Sequence, residues 1–280
     1  MNNSPPTAPV PTCLKWFART DRGKVRPTNE DSFVGIQFDA REVHRLGKYG
    51  EAPISHANLV FAVSDGMGGA LAGEYASRVA VEKITTLLPR AFSAADELAA
   101  GGEVVLTSLF TQIHQALTEV GDSYPECAGM GTTLSLGWFT ATRMFFAHIG
   151  DSRIYHLPAG ADRIQQLSHD DTHVGWLLRQ GQINEREARR HPRRNLLQKA
   201  LGADHQFVAP QVGALAYQAG DIFLLCTDGL VEGLYDNHLV EILRAKELLG
   251  LNVNPADVLV EESLQKSGRD NATAIVIQAG

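Results

Sequence analysis

Short apolar runs and longer stretches with helical spacing alternate along this chain, and they come in blocks. Apolar or alternating runs predict strands over residues 14–19, 32–37 and 59–64, with a polar, Gly-containing insertion over 39–58 between the last two. Apolar residues then recur at helical spacing over 70–88 and over 104–120, where Leu106, Leu109, Phe110, Ile113 and Leu117 share a face. The runs 132–139, 143–149, 152–156 and 163–167 lie close enough together for an antiparallel meander, before a polar, helix-leaning stretch over 169–199. The chain closes with strands over 206–217 and 221–227, helices over 237–249 and 256–266, and a strand over 272–278. Strands in blocks with paired helices predict an α+β fold, two antiparallel sheets face to face with helices outside.

Four acidic turns stand against the ends of these runs: Asn29-Glu30-Asp31, Asp65-Gly66, Asp228-Gly229 and Asp270-Asn271. A strand that ends in Asp-Gly delivers a carboxylate at the rim of a sheet, and the glycine permits φ > 0 or a close backbone approach. Any one of these turns is also an ordinary hairpin signal. Several aimed at one rim would gather oxygen ligands suited to Mg²⁺ or Mn²⁺.

Their order along the chain carries more. Arg26-x-x-Asn29-Glu30-Asp31 is followed by Asp65-Gly66-Met67-Gly68-Gly69, then Gly129-Met130-Gly131-Thr132-Thr133, Gly150-Asp151-Ser152-Arg153, Thr227-Asp228-Gly229 and Asp270-Asn271. This series resembles the metal-dependent protein serine/threonine phosphatases of the PP2C (PPM) family in bacterial form, over roughly residues 16–278. The resemblance implies a four-layer αββα sandwich with metals at one end between the sheets, and a flap subdomain at about 170–195. One phosphatase domain over 13–280 is expected behind a Pro/Ser/Asn-rich, flexible tail over 1–12, in a cytoplasmic, monomeric enzyme.

Composition is consistent with that reading. At 280 residues, 44% hydrophobic and 20% charged, the chain has enough apolar surface for one large core. A net charge of −7 argues against a nucleic-acid surface. Three scattered cysteines, Cys13, Cys127 and Cys226, support neither a disulfide framework nor a zinc site and point to a reducing compartment. No apolar stretch reaches the ~18 residues of a membrane span, and the first residues lack a signal-peptide pattern. The last strand ends at Gly280, so no appended sensor or anchor domain is expected.

Phosphate monoesters resist hydrolysis, and two divalent ions answer both the weak nucleophile and the anionic ester. By resemblance Asp65 bridges both ions, the Gly66 carbonyl binds one, and Asp228 and Asp270 hold the other. Glu30 and Asp31 act through bound water, and Asp151 is placed for a weaker third ion, with a plain hairpin aspartate as the competing reading. Asn271 accompanies Asp270. Arg26 is expected to present its guanidinium fork to the phosphoryl oxygens, although alone it reads as a surface arginine before proline. His191 is a substrate-contact candidate in the flap, with a solvated loop histidine as the favoured reading of an exposed polar residue. Ten histidines without helical metal spacing leave a zinc hydrolase unsupported, and Met67 leaves the leaving-group proton donor unassigned.

Arg179, Arg186, Arg189, Arg190, Arg193 and Arg194 make the flap basic. Attraction of a phosphopeptide and a solvated face of internal ion pairs are equal readings. The expected activity is hydrolysis of phosphoserine and phosphothreonine in proteins by water activated between two Mn²⁺ or Mg²⁺ ions, opposing a cognate Ser/Thr kinase. A catalytically silent phosphoprotein-binding module and a hydrolase of small phosphate esters are the alternatives. The former should have lost Asp65, Asp228 or Asp270.

Overall fold

A computed structural model of the chain describes residues 11–55, 57–94, 101–203, 208–245 and 253–280. In chain order, β1 (Cys13–Asp21), β2 (Asp31–Phe38), β3 (Val43–Arg45), β4 (Tyr49–Pro53) and β5 (Asn58–Met67) lead into α1 (Ala70–Ala94) and α2 (Gly102–Ser123). The meander follows as β6 (Gly131–Thr132), β7 (Leu134–Phe139), β8 (Met144–Ile149), β9 (Arg153–Leu157) and β10 (Gln165–Gln166). Next come α3 (His173–Arg179), α4 (Glu185–Arg190), β11 (Leu201–Gly202), β12 (Gln211–Leu215) and β13 (Ile222–Cys226). The chain ends with α5 (Asp228–Gly233), α6 (Asp236–Arg244), α7 (Pro255–Lys266) and β14 (Ala272–Ala279).

Period-two alternation in the central strands builds the layers, because successive side chains leave a strand on opposite faces. In β5, Leu59, Phe61 and Val63 face a core shared with Trp16, Phe223, Leu225, Ile275 and Ile277 of the other sheet. Val60 and Ala62 face the opposite way, against Ile84 and Leu88 of α1 and Leu109 and Ile113 of α2. On the far side, Leu224, Ala274 and Val276 meet Leu239, Leu259 and Val260 of the C-terminal helices. Three cores between four layers make the expected α+β sandwich. One sheet runs β10-β9-β13-β14-β1-β4, the other contains β11-β6-β5-β7-β8-β12 with β2 and β3, and every pairing is antiparallel.

Several boundaries differ from expectation. The 39–58 insertion holds β3 and β4, and β4 crosses to the other sheet to pair with β1. Its mostly exposed YGEAP sequence is that of a polar edge strand, which carries no apolar period. Asp228-Gly229 opens α5 instead of closing a turn, and β5 continues through Asp65 to Met67. Residues 1–10 of the expected tail lie outside the described residues. Thr12 is already anchored, its N–H donating to the Gly280 carbonyl at 2.7 Å and its carbonyl accepting from Ile54 N. The parts of the expected strand over 206–217 and helix over 237–249 that fall on 206–207 and 246–249 also lie outside the described residues. Among the described residues, no helix is long and apolar enough to cross a membrane.

Candidate active site

The carboxylates expected to converge do so at one end of the two sheets. β2 and β5 are neighbours in register, which sets Asp31 opposite Asp65. Asp228 follows the end of β13 in the other sheet, and Asp270 precedes β14 beside it. A cavity of about 410 Å³ is lined by Arg26, Glu30, Asp65, Gly66, Asp151, Asp228, Asp270 and Asn271. Asp31 lies beneath it and ties the sheets together: its Oδ2 accepts from Thr227 Oγ1 at 2.8 Å and from Thr273 Oγ1 at 2.7 Å.

The two Asp-Gly glycines serve close approach and not a turn. A Cβ on Gly66 would sit 1.9 Å from the carbonyl oxygen of Gly73 in α1, and one on Gly229 would sit 2.0 Å from that of Asn271. Left-handed backbone occurs instead at Gly68 (φ 116°) and Gly69 (φ 91°), which carry the chain from β5 into α1. Thr132 and Thr133, unassigned within their motif, pin Asp65 from the adjacent strands. The Asp65 carbonyl accepts from Thr133 N at 2.9 Å and Thr132 Oγ1 at 2.8 Å, and its N–H donates to Thr133 Oγ1 at 3.1 Å.

Asn271 clamps the loop that carries Arg26 and Glu30. Its Oδ1 accepts from Glu30 N at 2.8 Å, while Nδ2 donates to the carbonyls of Arg22 (2.8 Å) and Thr28 (2.9 Å). Arg26 donates from Nη2 to Asp270 Oδ2 at 2.7 Å. The turn bearing Asp151 is held by a residue that sequence reasoning missed, Asp171. Gly150 N donates to Asp171 Oδ2 at 3.2 Å, and Asp171 N donates to the Gly150 carbonyl at 2.6 Å.

His191 lines neither this cavity nor the larger groove beside it. It ends α4, with its Nδ1 accepting from Arg193 N at 3.1 Å. Among the described residues no histidine lines the carboxylate cavity, which leaves the leaving-group acid without a side-chain candidate among them. Arg189 is likewise diverted from any role as a free cation. Its guanidinium donates to the Val231 and Leu234 carbonyls at 2.6 and 3.1 Å, capping the end of α5, and stacks 3.8 Å above the Tyr235 ring.

Negative charge accumulates at this end of the sheets, with Arg26 on Asp270 offsetting only part of it. Burial, followed by the neighbouring carboxylates, pushes Asp65 and Asp228 well above the usual carboxylate range. Burial raises Asp31 to about 7 despite its two threonine donors, and raises Asp151 to about 7 with Asp170 adding to the effect. Glu30 is raised as well, mainly by burial. The buried Oδ1 atoms of Asp31 and Asp228 have no hydrogen-bond partner. Such a set needs either protons or cations, and its donors are all oxygen, which suits hard divalent ions. Among the described residues, no group of three or more His, Cys, Asp or Glu side chains is placed to hold a metal ion by itself. An ion here would therefore draw on carbonyls and water too, as Mg²⁺ and Mn²⁺ commonly do.

Comparison with known proteins gives this geometry a context. The family model described as Protein phosphatase 2C matches residues 52–250. The serine/threonine protein phosphatase PstP of Mycobacterium tuberculosis is 34% identical over 271 residues, 96% of this chain, and the chain spans 46% of that relative's length. The serine/threonine phosphatase stp of Listeria innocua is 32% identical over 262 residues, covering 93% of this chain and 94% of the relative. The crystal structure of the PstP catalytic domain in complex with two manganese ions superposes with a TM-score of 0.73 at 31% identity, covering 95% of this chain and 99% of that one.

Proposed function

The chain belongs to the protein phosphatase 2C family, and from that premise we propose that it hydrolyses phosphoserine and phosphothreonine in proteins, opposing a bacterial Ser/Thr kinase. The observation that carries the reading is the cluster of buried, mutually repelling carboxylates with an unpartnered Asp228 Oδ1. Asp65, Asp228, Asp270 and the Gly66 carbonyl would hold two divalent ions, with Glu30 and Asp31 acting through water and Asp151 serving a third. When bound, such ions lower the pKa of water and offset charge on the ester. Two manganese ions on the related PstP catalytic domain favour Mn²⁺ over Mg²⁺ as the first ion to test.

The chain's own groups supply the rest. Arg26 spends one nitrogen on Asp270 and keeps its other donors for the phosphoryl oxygens, with a side chain 46% exposed at the cavity mouth. Asn271 holds Arg26 and Glu30 on one loop, while Thr132 and Thr133 hold the Asp65 backbone.

The test is turnover of a phosphothreonine peptide by EDTA-stripped protein with and without Mn²⁺, beside a phosphotyrosine peptide and an aryl phosphate. Mn²⁺-dependent preference for phosphothreonine, lost by about 10³-fold or more in Asp228→Asn with the fold intact, is the expected outcome. Near-normal turnover of Asp228→Asn would overturn the metal-ligand assignment.

A further inference from the structure

Beside the carboxylate cavity runs a groove of about 1110 Å³, bounded by α4 and the chain after it on one side and by α5 and the end of α7 on the other. The two spaces share Asp151, Asn195 and Asp228, so the first opens into the second.

Most charges in the groove wall are already matched. Arg153 forks onto Asp170 at 2.9 and 2.6 Å, Arg194 meets Glu232 at 3.5 Å, and Lys266 meets Glu262 at 3.3 Å. Arg189 caps α5 and meets Glu185 at 3.7 Å. Three cations are left over: Arg186, Arg190 and Arg269 are exposed and have no hydrogen-bond or ion-pair partner among the described residues. Arg186 and Arg190 stand four residues apart on α4 and share a helix face. Among the described residues, Asp236 is the one lining carboxylate outside the shared cavity with no ion-pair partner, and burial raises its pKa. On a chain of net charge −7, three unmatched arginines in one groove next to the carboxylate cavity form a local positive field.

We propose that this groove is a second anion subsite, in which Arg186, Arg190 and Arg269 bind a carboxylate or a second phosphate on residues flanking the phosphorylated one. This rests on the phosphoprotein reading above. Guanidinium forks recognise both anions in a planar, bidentate manner. The subsite selects phosphoproteins whose target residue lies in an acidic or multiply phosphorylated segment, and it speeds encounter more at low salt than at high.

The experiment compares three Mn²⁺-supported substrates: a phosphothreonine peptide with neutral flanks, one with glutamates in the flanks, and one with a second phosphothreonine. The glutamate peptide should show kcat/KM about tenfold above the neutral one, the scale of three exposed ion pairs of ordinary strength. The triple variant Arg186→Gln/Arg190→Gln/Arg269→Gln should erase that gain while leaving aryl phosphate turnover unchanged. A larger gain for the doubly phosphorylated peptide would identify phosphate as the preferred anion, and a gain with glutamate alone would identify carboxylate. Equal kcat/KM for all three peptides, or a gain that survives the triple variant, would overturn the subsite. A second readout separates this from the phosphatase assignment: fluorescence anisotropy with phosphate-free peptides in which glutamate replaces the phosphothreonine. Tighter binding of the acid-flanked peptide that the triple variant abolishes supports the subsite even if no peptide is turned over, and equal binding of both peptides rejects it.

Discussion

Asn271→Ala tests whether the loop bearing Arg26 and Glu30 is held in place by one side chain. Asn271 is 4% exposed and makes three hydrogen bonds, to Glu30 N and to the Arg22 and Thr28 carbonyls. Each such bond contributes about 1 kcal/mol net, and alanine leaves all three partners unmatched. Arg22 is exposed, so water recovers part of its bond, and the expected loss is about 2–3 kcal/mol. For a chain of this size that corresponds to a Tm lower by roughly 5–10 °C. Calorimetry in EDTA reads that term, and initial rates on a phosphothreonine peptide read the second consequence, a raised KM from a loosened Arg26. Asn271→Asp keeps the acceptor for Glu30 N but loses both donors and adds charge beside Asp270, so it should rescue neither. Asn237→Ala on the exposed face of α6 is the control. A Tm shift under about 2 °C with KM unchanged would refute the clamp.

Three other outcomes follow from the same geometry. With carboxyls raised to about 7 at Asp31 and Asp151, the folded chain holds protons that the unfolded chain releases near pH 4. EDTA-treated protein should therefore lose stability as pH rises from about 4 to 7, and Mn²⁺ should restore it near neutrality; a Tm that climbs across that window in EDTA would contradict this. Arg189→Ala removes two carbonyl bonds and the stacking on Tyr235, about 2 kcal/mol, and should speed amide exchange in the α3–α4 segment about 30-fold without unfolding the sandwich, as mass spectrometry would show. Gly66→Ala forces a Cβ to 1.9 Å from the Gly73 carbonyl and should cost about 3 kcal/mol or more, whereas Gly69→Ala meets open space and should cost about 1 kcal/mol from its backbone angle alone; equal Tm values for the two would reject the close-approach account.

Much of the fold was legible because the signals are local. The runs at 59–64 and 272–278 carry enough apolar residues to be strands in any context, and their burial on both faces follows from facing two cores at once. β4 escaped notice because an edge strand needs pairing and not hydrophobicity, and α5 escaped because Asp-Gly after a strand is a far commoner turn than a helix start. His191 and Arg189 were candidates by their place in the flap; packing put the Arg189 guanidinium on the carbonyls of α5, while His191 lines neither space and accepts from Arg193 N.

The amino-acid sequence by itself determined which oxygen donors exist, their order along the chain, and the two periods that divide it into strands and helices. Only the tertiary structure decided what those donors share. The bond from Thr227 to Asp31 spans 196 residues and that from Asn271 to Glu30 spans 241, distances over which no local period carries information. The unpaired cations of the groove are likewise a property of the fold, because an arginine is free only after every carboxylate within reach has been placed.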